Sequence, residues 1–138
     1  MGVPVYDYAN GPDTELPHTY TLFAPANATS PKICRDFVRG ALETLGLDHL
    51  ADAAALCTSE LVTNVHRHTK GDVHLRAAVA ATHVRVSVYD GSAQLPAPRR
   101  APVDDEDGRG LFLVTALSDL CGVTPTGGGK GVWFQLNR

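Results

Sequence analysis

Glu60 and Asn64 are the residues of this chain best placed to do chemistry together. They sit in the run Glu60-Leu61-Val62-Thr63-Asn64, which continues as Val65-His66-Arg67-His68-Thr69. Four residues apart on a helix, they project from one face. A carboxylate and a carboxamide on one helical turn can do two jobs at a phosphate. The amide oxygen can ligate Mg²⁺, and the carboxylate can take a proton from an attacking hydroxyl or water. Glu and Asn at this spacing are also common on solvated helix faces, so the pair gains meaning only from the boxes downstream of it in the chain.

There are two such boxes, each containing glycine. Asp90 closes an alternating segment and precedes Gly91 and Ser92. A strand-end carboxylate can accept a hydrogen bond from an exocyclic amine such as that of adenine, and glycine lets backbone approach a flat base. The competing reading is a plain Asp-Gly turn. Gly108-Arg109-Gly110 precedes the apolar segment Leu111 to Leu117. Backbone N–H groups at a helix start receive phosphate oxygens, and Arg109 adds a charge-assisted contact; the alternative is a flexible lead into the helix.

Other constellations fail on spacing. Leu113 stands where a dinucleotide-binding fingerprint needs its third glycine, and Gly131 where a Walker A loop needs Ser or Thr. His66 and His68 are two apart, which on a helix points them away from each other, and His74 completes no zinc set. No G-x-S-x-G elbow is present. Trp133 and Phe134 read as core or interface residues. Lys130, the one charge in a glycine-rich turn, reads as a phosphate contact or a solvated side chain.

Periodicity indicates the scaffold that holds these groups. Residues 1–18, with Pro4, Gly11, Pro12 and Pro17, read as a loosely ordered lead-in to a single domain over 19–138. Thr19 to Ala24 reads as a strand. Ser30-Pro31 is expected to start a helix with Ser30 as N-cap, and Gly46 to close it. A second helix from Asp48 carries Leu50, Ala54, Cys57, Leu61 and Val65 as its apolar stripe, with Glu60, Asn64 and His68 at the stripe's edge. Val73 to Val79 and His83 to Tyr89 read as a hairpin with one buried face. A long lid-like loop over 93–107, the helix after Gly110, and strands at Leu120 to Thr124 and Val132 to Leu136 complete the chain.

Composition bounds the possibilities. The chain has 138 residues, a net charge of −3 and no Lys/Arg stripe. That suits one domain and argues against direct nucleic-acid binding. Cys34, Cys57 and Cys121 form no C-x-x-C pair, so neither a disulfide framework nor a zinc ribbon is indicated. No signal-peptide pattern and no membrane-spanning apolar run is found. The expected compartment is the cytoplasm.

The three boxes, in this order, resemble the GHKL (Bergerat-fold) ATP-binding superfamily, and in particular the small modules related to anti-sigma-factor serine/threonine kinases of actinobacterial type. Glu60 to Thr69 resembles the N-box, Gly108 to Val114 the second glycine box, and Gly129 to Phe134 the last strand. The resemblance implies an α+β two-layer sandwich with helices on one face of a mixed, mostly antiparallel sheet. It implies ATP and Mg²⁺ as cofactors, with Glu60 as general base and Asn64 as the Mg²⁺ ligand. Asp90 and Ser92 would face the adenine, and Arg67, His68, Gly108, Arg109, Gly110 and Leu111 would lie at the phosphates. The implied partners are an anti-sigma-factor antagonist protein, phosphorylated on a serine, and a sigma factor; a homodimer is also implied. The lead-in has no room for a histidine kinase's dimerising helical domain, which favours the serine-kinase class. Two departures stand out. Ser92 replaces a glycine of the superfamily. Gly131 replaces a frequent Thr, removing a hydroxyl expected to help hold Asp90 or adenine. They keep open a second reading, a non-catalytic ATP-binding regulator acting through protein contacts.

Overall fold

The computed structural model describes residues 18–68, 71–90, 106–125 and 130–138, with side chains at 18–65, 71–90, 112–125 and 130–138. In chain order the elements are β1 (His18–Pro25), α1 (Ser30–Thr44), α2 (Asp48–His68), β2 (Asp72–Val79), β3 (His83–Asp90), α3 (Glu106–Leu117), β4 (Leu120–Pro125) and β5 (Lys130–Asn137). The five strands form one sheet in the order β1-β2-β3-β5-β4. All four pairings are antiparallel, so no parallel pair of a mixed sheet occurs among the described residues.

Strand periodicity decides which face is covered. Val73, Leu75 and Ala77 of β2, Val84, Val86 and Val88 of β3, and Phe134 and Leu136 of β5 share one face, and all are buried. The register confirms the grouping, because Leu75 pairs with Val88 and Val86 with Phe134. These residues join one core with Cys34, Val38 and Leu42 of α1, Ala54, Cys57, Leu61, Val62 and Val65 of α2, and Val114 of α3. The helices therefore form a single layer over the sheet, as expected for the α+β sandwich. Burial pushes the Cys34 and Cys57 thiols up to about 11, with Cys121 and Glu60 adding to the effect at Cys57. Both are buried free cysteines and unreactive as nucleophiles near neutral pH.

The other face of the sheet, which no described helix covers, carries side-chain contacts of its own. The Arg85 guanidinium lies 3.9 Å from the Trp133 ring centroid and donates to Gln135 Oε1 at 2.9 and 3.2 Å. Trp133 in turn lies across Gly122, where an added Cβ would meet the ring at 2.8 Å. Phe23 stacks on His74 with centroids 4.2 Å apart. Trp133 is thus packed on the uncovered face, while its neighbour Phe134 is fully buried in the core.

Two element starts differ from expectation. Ser30 is the first helical residue of α1, with Thr29 at the cap position and no side-chain cap bond. Ser30 is buried instead. Its hydroxyl donates to the Pro25 carbonyl and accepts from the Asn27 N–H, tying the helix start to the end of β1. α3 begins at Glu106, so Gly108-Arg109-Gly110 lies within its first turns rather than ahead of it. Two glycines read as a helix breaker locally. Buried Val114 and the packing of α3 on α2 override that preference. Gly46 keeps the role expected of it, closing α1 at φ +78°. Of the lead-in expected over 1–18, His18 is the first residue of β1, while residues 1–17 and most of the 93–107 loop lie outside the described residues.

Candidate functional site

Chain connectivity gathers the boxes at one end of the sandwich. α2 ends at His68 and β2 begins at Asp72, so the C-terminal end of α2 lies beside the first residues of β2. His74 of β2 pairs with Tyr89, which puts Asp90 at that same end of the sheet. α3 arrives from the opposite direction. Its C-terminus leads to Leu120, paired with Gln135 toward the far end, so its N-terminal turns, with Gly108 and Gly110, face the end that carries Asp90. Glu60 and Asn64 sit on the last turns of α2, which packs on β3, β5 and α3.

Within this arrangement Glu60 and Asn64 are half-buried, and their neighbours Leu61, Val62 and Val65 are in the core. Position at the edge of the apolar stripe, as read from the sequence, is what the fold delivers. Neither side chain makes a hydrogen bond or ion pair among the described residues. Packing fixes the helix, so the two polar heads are held in place without being used by the described part of the fold. Their chemistry suits a divalent cation with phosphates. Mg²⁺ takes few protein oxygens and keeps waters and phosphate oxygens for the rest, and a carboxamide oxygen such as that of Asn64 has the chemistry for one of those places.

Asp90 is in a different state. It is paired across the strands with Lys130, whose Nζ lies 2.9 Å from Oδ2 and 3.3 Å from Oδ1. The two side chains are only 3% and 7% exposed. By strand alternation both point to the helix-covered face, in line with Val88 and Val132. Lys130 is therefore neither solvated nor a free phosphate contact, as the sequence suggested, but a buried counter-ion. A lysine in a glycine-rich turn carries no sign of this; only the register between β3 and β5 reveals it.

The same register corrects the expectation for Gly131. Its partner is Tyr89, on the uncovered face of the sheet. A Cβ at Gly131 would meet the Tyr89 ring at 2.5 Å. A threonine hydroxyl at 131 would thus project away from Asp90, and the glycine is required by the tyrosine lying over it. Position 130, not 131, faces Asp90.

The remaining predicted residues are placed in part. Arg67 and His68 belong to the last turn of α2, and Gly108, Arg109, Gly110 and Leu111 to the first turns of α3, by their backbone; Ser92 lies outside the described residues. Gly108 falls among the first three residues of α3, whose N–H groups have no partner within the helix. Through Gly108 the glycine box therefore brings an orphan donor to the end of the sandwich that carries Asp90.

Comparison with known proteins agrees with this fold. No curated protein matches the chain. A solved structure, the RsbU and RsbW domains of Rv1364c from Mycobacterium tuberculosis, is similar at a TM-score of 0.66 and 22% identity. The similarity covers 88% of this chain and 33% of that one, so this chain spans about a third of that chain's length and shares its fold. Residues 24–136 match the histidine kinase-like ATPase domain, a span that includes Glu60, Asn64, Asp90 and Gly108 to Gly110. On that match and this fold, the chain belongs to the histidine kinase-like ATPase domain family.

Proposed function

We propose that this chain binds Mg²⁺-ATP at the end of the sandwich where α2, β3 and α3 converge. We further propose that it transfers the γ-phosphoryl group to a serine or threonine of a protein partner. The observation that carries the reading is the state of Glu60 and Asn64. Both are anchored by a packed helix, half-buried, and without a partner among the described residues. Asn64 would hold Mg²⁺, which supplies charge neutralisation at the phosphates. Glu60 would accept the proton of the attacking hydroxyl, and Asp90 would receive the base. Gly108 would offer its N–H group to phosphate oxygens, with Arg67, His68, Arg109, Gly110 and Leu111 lining the same region and Ser92 facing the base. The family resemblance suggests an anti-sigma-factor antagonist as the phosphoryl acceptor and a sigma factor as the sequestered partner, in a cytoplasmic setting. No helix among the described residues is long and apolar enough to cross a membrane.

Calorimetry with ATP, with and without Mg²⁺, tests the site on wild type and Asn64→Ala. Mg²⁺-dependent binding that is lost in the variant supports it. Absence of binding to wild type at millimolar ATP would refute it. Phosphoserine formation on the antagonist, abolished by Glu60→Gln, is the further test of transfer.

A second reading is favoured by one observation. Asp90 is already bound by Lys130. A base-binding carboxylate spent on an internal ion pair suits a regulator that binds nucleotide and signals through protein contacts without turnover. Under that reading Glu60→Gln leaves regulation intact.

A further inference from the structure

Arg85 is a cation held in place without a counter-ion. Alternation along β3 puts it on the sheet face opposite Val84 and Val86, the face that no described helix covers. It is half-buried there, and burial pulls its pKa below the ordinary arginine value, with Tyr89 opposing the shift. A charge drawn out of water calls for compensation. What it finds is neutral. The guanidinium lies over the Trp133 ring, 3.9 Å from the centroid, and Nε and Nη2 donate to Gln135 Oε1. Among the described residues Arg85 has no carboxylate partner.

The stack and the two hydrogen bonds fix the orientation of the guanidinium. Its Nη1 makes no hydrogen bond among the described residues, so the edge formed by Nη1 and Nη2 keeps donors to offer. Two parallel N–H groups on that edge match the two oxygens of a carboxylate. The register sets an apolar group beside them. Arg85 faces Gln135 across β3 and β5, and Gln135 faces Leu120 across β5 and β4. Leu120 is 55% exposed. Arginine and tryptophan are among the residue types that dominate binding energy between proteins, and Leu120 adds apolar area next to them. A phosphate backbone would need several cations and a more basic chain; the net charge is −3.

We infer that this face is a docking surface for a protein segment that sets an Asp or Glu carboxylate against Arg85 and an apolar side chain against Leu120. The inference is independent of the nucleotide reading, because Arg85 points away from the helix layer that carries Glu60 and Asn64.

A random-peptide display library panned on the full chain tests it. Enriched peptides should share an Asp or Glu next to an apolar residue. Exchanging that acid for its amide should weaken binding to wild type about tenfold or more, the effect of losing a hydrogen-bonded charge. Binding should also change the fluorescence of Trp133, the single tryptophan of the chain. Arg85→Gln should lose peptide binding by a similar factor with ATP affinity unchanged, and Arg85→Lys should restore little, because an ammonium lacks the planar fork. The peptide exchanges are read on wild type, so they decide the matter even if Arg85→Gln does not fold. Enrichment of no acidic family would overturn the inference and leave the nucleotide site standing. Acidic peptides that bind Arg85→Gln as well as wild type would do the same. Self-association of wild type in sedimentation velocity, abolished by Arg85→Gln, would also overturn it, by giving the face to a second copy of this chain.

Discussion

Two parts of the candidate site treat their polar groups in opposite ways. On α2, Glu60 and Asn64 stand half-buried with no partner among the described residues. At the end of β3, Asp90 is buried and bound to Lys130. The first arrangement contributes little to folding and leaves its groups for a ligand. The second is integrated into the fold, because a charge at 3% exposure must be compensated from within. Function and stability should therefore separate at the first pair and be entangled at the second.

Lys130→Met puts the greatest load on this contrast. It removes the Lys130 counter-ion from the buried Asp90 carboxylate and should cost about 3–5 kcal/mol in urea denaturation. A loss below about 1 kcal/mol would mean that the pair is effectively solvated and the contrast false. Glu60→Gln is the complementary test. Stability should stay within about 0.5 kcal/mol of wild type, the range of substitutions that remove no fold contact. Transfer to a protein acceptor should drop by about 10²–10⁴-fold, as expected for loss of a general base. A large stability loss would show that Glu60 is structural.

Gly131→Ala probes the correction at β5. Its Cβ would meet Tyr89 Cε1 at 2.5 Å, so the ring must move, at a cost of about 1–3 kcal/mol. Since the clash is on the face turned away from the helices, the Asp90–Lys130 contact should survive, and ATP affinity should not change. The smallest effect is expected with pH. Burial, and then the nearby Arg85 charge, hold His83 below its ordinary value; burial and Arg76 do the same to His74. The folded chain thus binds fewer protons than the unfolded one over the interval between the two values. Stability should decline as pH falls below about 6.5, the ordinary histidine value, and level off once the folded histidines titrate. Urea midpoints across that range should show the slope, and His83→Gln should flatten it.

Much of the fold was legible because burial in a two-layer sandwich imposes simple periods. The stripe from Leu50 to Val65 marked α2, and the alternation of Val84, Val86 and Val88 marked β3 and its buried face. The starts of α1 and α3 were not legible in the same way. Ser30 is recruited to the end of β1 and the glycines of α3 are held by packing, and neither effect is local in sequence. The candidate site divides along the same line. The placement of Glu60 and Asn64 on one helix could be read because their relation lies within one helical turn, four residues apart on a period the chain itself writes down. The same holds for the order of the boxes, and so for the family. The roles of Lys130 and Gly131 could not be read, because they depend on which residue of β3 each one faces. A shift of one residue in that pairing would exchange their faces. The register is set by the whole buried face of the sheet, so only the tertiary structure could decide that Lys130 meets Asp90 and that Gly131 makes room for Tyr89.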